Sequence, residues 1–288
     1  MSDQWLRKVK VTVSGKSGSL VIENLKIDFS GKLSIGSAQN TGSVTIWNLS
    51  VANRGKLGEE YDELTLEVGY EGGQSGILLK GEIRDVTHSQ EGADVGSEIE
   101  IGDGDSAVNK GIASKTFPAG TKPAEIVKYL ASRMPKVKLG ATVGIDDLPP
   151  YKQSVVVFGF AKRELDTIGR EHKAYWSIQN GTVEMVKADR FINDVTVLSR
   201  ATGLIGTPEL TDKGVKVKCL INPKIKPNRV IDVRSAFLDQ NSGASKEGSD
   251  QGGGLFRVAT VSFNGSNRAQ EFYFDIEGSR IQQGKVVK

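Results

Sequence analysis

Short runs in which apolar and polar residues alternate dominate the two ends of the chain. In residues 195–197 and 215–219, valine or cysteine occupies every second position, with threonine or lysine between. Gly203, Gly206 and Pro208 separate these two runs. Runs of this kind, bounded by Gly and Pro, predict consecutive strands of an antiparallel sheet or barrel, and no helical periodicity competes with that interpretation.

The C-terminal pattern continues to the end of the chain. Residues 230–233 form another extended run after turns that contain Pro and Asn. Residues 255–263 and 270–277 predict two closing strands on either side of a turn at 264–267. Together these runs predict a second β-domain.

Residues 5–102 contain about seven further runs with a turn about every ten residues, which is typical of a sandwich or barrel. The parity of the apolar positions changes between residues 20–22 and residues 25–29. We expect a β-bulge at Glu23–Asn24, because a one-residue slip otherwise exchanges the two faces of a strand.

The middle of the chain has a different pattern. Residues 121–134 predict a helix that begins near Pro123 and ends at Pro135, with apolar positions three and four residues apart. A strand at 154–160 and a second helix at 161–172 follow. A hairpin is predicted over 175–186, because its Asn-Gly pair suits a type I′ turn. The sequence thus predicts a small α/β insert between two β-domains.

Composition narrows the possible classes of function. The chain has 288 residues, and 34 of them are glycine, which agrees with many tight turns. Its net charge of +3 is too small to predict a surface that binds nucleic acid or membranes. A single cysteine excludes an intrachain disulfide. Residues 1–15 lack the apolar centre of a signal peptide, and no apolar run approaches the ~20 residues that cross a bilayer. We expect a chain made in a cytoplasm, without stable membrane insertion.

Few residues are candidates for chemistry. The two histidines, His88 in a polar turn and His172 at a helix end, are expected to be structural, as is a buried Cys219. The triplet 103–105 (Asp-Gly-Asp) begins like a calcium loop but lacks the later ligands, and 15–17 (Gly-Lys-Ser) lacks the first glycine of a P-loop. Both are expected to be turns. We therefore predict no catalytic, cofactor-binding or metal-binding residue, no cofactor and no enzyme.

Six segments together resemble baseplate hub proteins of contractile-tailed bacteriophages, a family with tail-tube-like double barrels. They occur in the same order along most of the chain. The segments are GSVTIWNLS (42–50), ILLKGEIRDVTHS (77–89), FPAGTKPAEIVKYLASRM (117–134), AKRELDTIGREHKAYWSIQNGTVEMV (161–186), TGLIGTP (202–208) and GVKVKCLINPKIKP (214–227).

The resemblance implies a mainly β (α+β) protein in three parts. Two tail-tube-like antiparallel β-barrels, at residues 1–105 and 190–288, would flank the α/β insert at 106–189. Three copies would place six barrels in a ring. That homotrimer would join the sixfold tail tube to the threefold spike and leave a channel for the tape measure protein and DNA.

The resemblance also implies partners and a location. The partners would be further copies of the chain, the tail tube or tube-initiator protein, the spike, the tape measure protein and other baseplate proteins, with DNA only in passage. The protein would be located in the tail baseplate of the virion after assembly in the bacterial host cytoplasm. Two alternatives remain open: another tail component, such as a tube initiator or distal tail protein, or a module that binds or hydrolyses cell-wall glycan.

Two segments of the sequence each allow two interpretations. The Gly- and Ser-rich segment 236–254 predicts a flexible loop, which in a hub could contact a neighbour or could simply be flexible. A basic stretch could be a solvated outer face or, in a hub, a surface facing another subunit or the lumen. The stretch comprises Lys216, Lys218, Lys224, Lys226 and Arg229.

Overall fold

The structure is a computed structural model that describes residues 6–212, 214–235, 253–282 and 285–286. The strands are β1 (Arg7–Gly15), β2 (Gly18–Ile22), β3 (Ile27–Ser34), β4 (Thr41–Trp47), β5 (Tyr61–Tyr70), β6 (Ser75–Glu91), β7 (Asp94–Gly102), β8 (Ile112–Phe117), β9 (Lys138–Leu139), β10 (Val155–Phe160), β11 (Ala174–Ile178), β12 (Thr182–Lys187), β13 (Val195–Leu198), β14 (Leu204–Thr211), β15 (Gly214–Leu220), β16 (Val230–Arg234), β17 (Gly253–Ser266), β18 (Phe272–Gln282) and β19 (Lys285–Val286). The helices are α1 (Val51–Arg54), α2 (Asp105–Lys110), α3 (Pro123–Arg133) and α4 (Ala161–His172).

One large sheet of 14 strands contains both β-parts of the chain. Its main path runs β14-β15-β18-β17-β3-β4-β7-β6-β5-β1-β2, with β16 and β13 joined through β17 and with β19 on β18. The pairs are antiparallel except β13 with β16. In the described residues no pairing joins β14 to β2, so the path is open. A mainly β fold with antiparallel sheets is confirmed, whereas two closed barrels are not.

The pairing of β17 with β3 joins the two β-parts. It runs from Thr260 opposite Ser34 to Ser266 opposite Asp28. A Cβ at Gly31 of β3 would collide with the Phe263 ring, so the missing side chain lets this ring pack tightly at the junction.

The apolar sides of both β-parts form one hydrophobic core. Four buried residues on four neighbouring strands show this, because each of them is paired with the residue on the next strand. The four residues are Val217 (β15), Ile276 (β18), Val261 (β17) and Leu33 (β3). The N-terminal strands supply buried residues to the same core. The alternation that predicted strands therefore also determined which side chains point inward.

The insert has a second, separate core. Helices α3 and α4 pack against a two-stranded sheet, β10-β8, and near a three-stranded sheet, β11-β12-β9. The predicted helices at 121–134 and 161–172 are confirmed as α3 and α4. The hairpin is also confirmed, and positive φ angles at Asn180 (53°) and Gly181 (76°) agree with a type I′ turn.

Several local predictions are wrong. Glu23–Asn24 is not a bulge, because β2 ends at Ile22 and β3 begins at Ile27 in a different part of the sheet, so the parity change reflects two separate strands. β13 and β16 are parallel, although antiparallel neighbours were expected. The turn expected at 264–267 lies after β17, which continues to Ser266.

The prediction of a flexible loop at 236–254 falls mostly outside the described residues. Gly253 and Gly254 are described, and they begin strand β17. For 236–252 the flexible loop stays a prediction.

The shared core leads to a prediction about stability. Phe263 is 3% exposed and packs against Phe29 with ring centroids 6.2 Å apart. We expect Phe263→Ala to lower the free energy of unfolding by about 3–5 kcal/mol, because the cavity lies at the junction of both β-parts. The same change at Phe158, which is 78% exposed, should alter stability by less than about 0.5 kcal/mol. Urea unfolding followed by circular dichroism measures both; equal effects would contradict the shared core.

Candidate interaction surface

The three residues that could support chemistry lie in three different elements. His88 lies in strand β6, where a turn was expected, with its Nδ1 atom 3.1 Å from the Ser97 hydroxyl. His172 is the last residue of α4, as predicted, and its Nε2 atom lies 2.9 Å from the Tyr151 hydroxyl. Cys219 is fully buried in the main core, as predicted, and burial raises its pKa to about 12. A thiol in that environment is a poor nucleophile.

The described part of the chain lacks two features, a cluster of metal-ligating side chains and a membrane-spanning helix. There, no group of three or more His, Cys, Asp or Glu side chains is arranged to hold a metal ion. No helix among those residues combines the length and the apolar composition needed to span a membrane.

The Asp103 carboxylate has a structural task that the sequence did not indicate. Asp103 is buried and accepts hydrogen bonds from the backbone N–H groups of Asn180 and Gly181, the latter at 2.8 Å. The left-handed turn at these two residues exposes consecutive N–H groups, and the carboxylate satisfies them. The Gly15-Lys16-Ser17 segment forms the hairpin turn between β1 and β2, as predicted.

Two further buried amides complete this polar junction between sheet and insert. The Asn40 amide donates to the Ile178 carbonyl at 2.7 Å, and the Gln179 amide donates to the Ser34 carbonyl at 2.8 Å. Because buried polar groups that lose a partner are costly, these bonds restrict how the insert can sit on the sheet. Asn and Gln in connecting segments carry no sequence signal for such a role.

Charged pairs hold the insert at two more places. Lys136 lies within 3.2 Å of carboxylate oxygens of Asp62, Glu63 and Glu82, and its hydrogen bonds to these carboxylates raise its pKa against the opposing effect of burial. Arg229 makes a bidentate pair with the buried Glu184, at 2.7 and 2.8 Å. The basic stretch is therefore divided, since its last member ties the insert to the C-terminal β-part.

The solvent side of the large sheet forms a continuous hydrophilic surface, which we call the polar face. None of its residues is buried, and strand register places them side by side across six strands. The polar face consists of Lys216 and Lys218 (β15), Asp275 and Glu277 (β18), Thr260 and Ser262 (β17), Ser30 and Lys32 (β3), Thr41 and Ser43 (β4) and Glu100 (β7).

The polar face has balanced charge and mostly small side chains. It carries three basic and three acidic groups separated by five small hydroxyl side chains, and the half-buried Leu220 and Tyr273 border it on β15 and β18. Two open depressions of about 430 and 350 Å³ lie on it and share Lys32. Lys216 is 3.3 Å from Glu277, and Lys218 lies over the Tyr273 ring, so two of its three cations have partners. Such a surface suits contact without tight binding.

Comparison with solved structures shows which fold this is. The 43 kDa tail protein of prophage MuSo2 from Shewanella oneidensis has a TM-score of 0.62 at 8% identity, over 97% of this chain and 98% of that chain. A tail protein from Neisseria meningitidis MC58 has a TM-score of 0.62 at 11% identity, over 97% and 98%. The E. coli c3393 protein, a component of the type VI secretion system described as similar to T4 phage tail proteins gp27 and gp5, has a TM-score of 0.61 at 11% identity, over 92% and 75%. The fold is thus one that phage tail proteins use.

The sequence comparison is more specific. A family model described as "Baseplate hub gp41" matches residues 6–278. The chain belongs to this family of phage baseplate hub proteins, and the resemblance seen in the sequence is confirmed. No curated protein matches the sequence.

The buried junction leads to a prediction about pH. Burial raises the pKa of Asp103 from 3.8 to about 6, against the opposing effect of the two backbone donors. Between pH 6 and pH 4, Asp103 is therefore protonated in the folded state but largely ionised in the unfolded state. Its contribution to stability consequently rises as the pH falls through that window. Between pH 7 and pH 4, we expect the free energy of unfolding of the wild type to rise by about 2 kcal/mol relative to that of Asp103→Asn. Urea unfolding of both proteins at each pH tests this, and a difference independent of pH would contradict it.

Proposed function

We propose that the chain is a structural hub whose three copies form a ring between the sixfold tail tube and the threefold spike. Membership of the baseplate hub family over residues 6–278 is the observation that carries this proposal. Its proposed work is geometric, because the chemically capable residues are buried or paired in structural roles. Tape measure protein and DNA would pass through the ring, and other baseplate proteins would surround it.

The arrangement of strands supports a doubled module. We propose that residues 1–105 and 190–288 act as two tail-tube-like modules and that residues 106–189 form the insert. Each β-part presents the same design, an inward apolar side and an outward polar side. Three copies would then present six similar modules to the tube, while the ring itself keeps threefold symmetry for the spike.

The ends of the sheet support assembly into a ring. β14 and β2 each pair on one side only within the described residues. Exposed strand edges promote association with other strands, and a closed cyclic assembly is one way to cover them. We propose that neighbouring copies cover these edges in the ring.

The polar face is proposed to line the channel. A lumen through which a polypeptide and DNA pass must neither bind apolar segments nor hold phosphates strongly. Balanced charge and small hydroxyl side chains meet both requirements, because clustered Lys and Arg would retain phosphates.

The first prediction of this proposal concerns copy number. Native mass spectrometry of the assembled ring should give about 93 kDa, three times the 31.0 kDa chain. Quantitative mass spectrometry of purified tails should count three copies per tail. A count of six would contradict the hub and favour a tube initiator or a distal tail protein.

The second prediction concerns the direction of the polar face. Cys219 is buried and its pKa is raised, so it should react poorly with a maleimide. Among the described residues, the cysteine introduced by Ser262→Cys would therefore be the thiol that is labelled. We expect a small maleimide to label this thiol in both the dissociated chain and the ring. A maleimide attached to a large polymer should label it about tenfold more slowly in the ring, because the polymer must enter the channel. Equal rates in ring and dissociated chain would show that the polar face is not in the lumen.

A further inference from the structure

The insert displays a row of exposed apolar side chains, which we call the apolar ridge. It consists of Ile112 on β8 and of Val156, Phe158 and Phe160 on β10, which are 60%, 67%, 78% and 41% exposed. Phe160 is opposite Ile112 in the register, and the three β10 residues alternate, so all four share one face. Val157, between them, is buried in the core of the insert. Four large apolar side chains together on a surface mark an interaction site.

The strand that carries most of the apolar ridge also has a free edge. β8 and β10 pair only with each other among the described strands. On the β8 side, the Tyr129 hydroxyl and the Arg133 guanidinium donate to the carbonyls of Ser114 and Ile112. On the other side of β10, the described residues make no backbone hydrogen bond to the strand. An open edge beside apolar side chains is what an added strand requires.

The charge around the apolar ridge determines the kind of partner. Two guanidinium groups lie at the apolar ridge itself: Arg163 is 5.6 Å from the centroid of the Phe160 ring, and Arg133 donates to the Ile112 carbonyl. The whole insert, 106–189, holds 13 basic and 8 acidic residues, a net charge of +5 against +3 for the chain. Two ridges facing each other would bring like charges together, which disfavours pairing with a second copy. The complementary partner carries carboxylates.

The remaining features favour a polypeptide over a nucleic acid. Two of the four side chains are aliphatic, and these offer no ring on which a base can stack. An added polypeptide strand would satisfy the backbone groups along the open edge of β10, which a nucleic acid would not do in this regular way.

We propose that the apolar ridge docks an extended segment of another tail protein, in which apolar residues alternate with polar ones and Asp or Glu lie beside them. The segment would add to the free edge of β10, with its apolar side chains covering Phe158 and Val156. This inference rests on the proposed function, because the partner belongs to the assembled tail.

Photo-crosslinking in tails tests the docking site. Phe158→p-benzoylphenylalanine places a crosslinker at the centre of the apolar ridge, and Val51→p-benzoylphenylalanine on α1, 76% exposed, is the matched control. We expect irradiation of purified tails to join position 158, and not position 51, to a different polypeptide. Peptide mapping should place the crosslink in a segment with alternating apolar residues and excess Asp or Glu.

Other crosslinking results overturn the inference in distinguishable ways. A crosslink from position 158 to another copy of the chain makes the ridge a contact between subunits, and a crosslink to DNA makes it a nucleic-acid surface. Tails that contain the chain but show no crosslink at 158 leave the hub intact and refute the docking site. If the chain is absent from purified tails, the proposed function itself fails.

A substitution gives an independent measurement. Phe158→Asp should leave the fold and the ring mass unchanged, because the side chain is exposed, and should reduce the amount of the crosslink-identified partner in tails by about tenfold or more. Val51→Asp is the matched control and should leave that amount unchanged. An equal amount of partner in both variants would refute the docking site.

Discussion

The hydrophobic core shared by both β-parts is the constraint on which the rest of the structure depends. β17 of the C-terminal part pairs with β3 of the N-terminal part, and the apolar residues on the two strands point into the same interior. If either part were alone, β17 or β3 would lack its neighbouring strand at this junction, and the apolar side chains there would be exposed to solvent. Burial of apolar surface is the dominant favourable contribution to folding, so the two parts are stable together in one arrangement. That arrangement fixes the polar face, because inward and outward positions alternate where its strands pair.

Hydrogen bonds and ion pairs attach the insert to this frame. It leaves the sheet after β7 and returns before β13, with its own core of helices and short strands. Asp103, Lys136 and Arg229 anchor it at three places, and each makes more than one hydrogen bond or ion pair. Charged groups that are partly buried require several partners with good geometry, so each anchor admits few orientations. The insert therefore holds the apolar ridge in a defined direction relative to the sheet.

The sequence predicted the parts that depend on local physics. Pro123 and the apolar spacing after it define α3, and the Asn180-Gly181 pair defines the hairpin turn. Alternating residues predicted most strands and also which side chains face the core. The Glu23–Asn24 bulge was wrong because a parity change looks the same within one strand and between two. β8 was missed, since residues 112–117 do not alternate cleanly between apolar and polar.

Long-range features could not be predicted in this way. Nothing near Phe29 or Phe263 indicates that their strands are neighbours, because pairing between distant strands depends on the whole core. The role of Asp103 depends on a turn far along the chain, so its Asp-Gly-Asp context suggested only a local turn. The apolar ridge is hidden in the sequence for a related reason. Residues 155–160 are apolar throughout, and only the packed structure distinguishes the side that α3 and α4 cover from the side left exposed.

The two surfaces have opposite chemistry, as their two proposed roles require. A channel wall works only if passing chains leave it easily, so it must offer neither apolar contact nor concentrated charge. A docking surface works only if its partner stays, and that requires apolar area, an open strand edge or unbalanced charge, all of which the insert has. Placing both functions on one sheet would expose passing segments to the binding groups. In the proposed hub, their separation between the sheet and the insert would keep the docking groups away from the chains that pass through the channel.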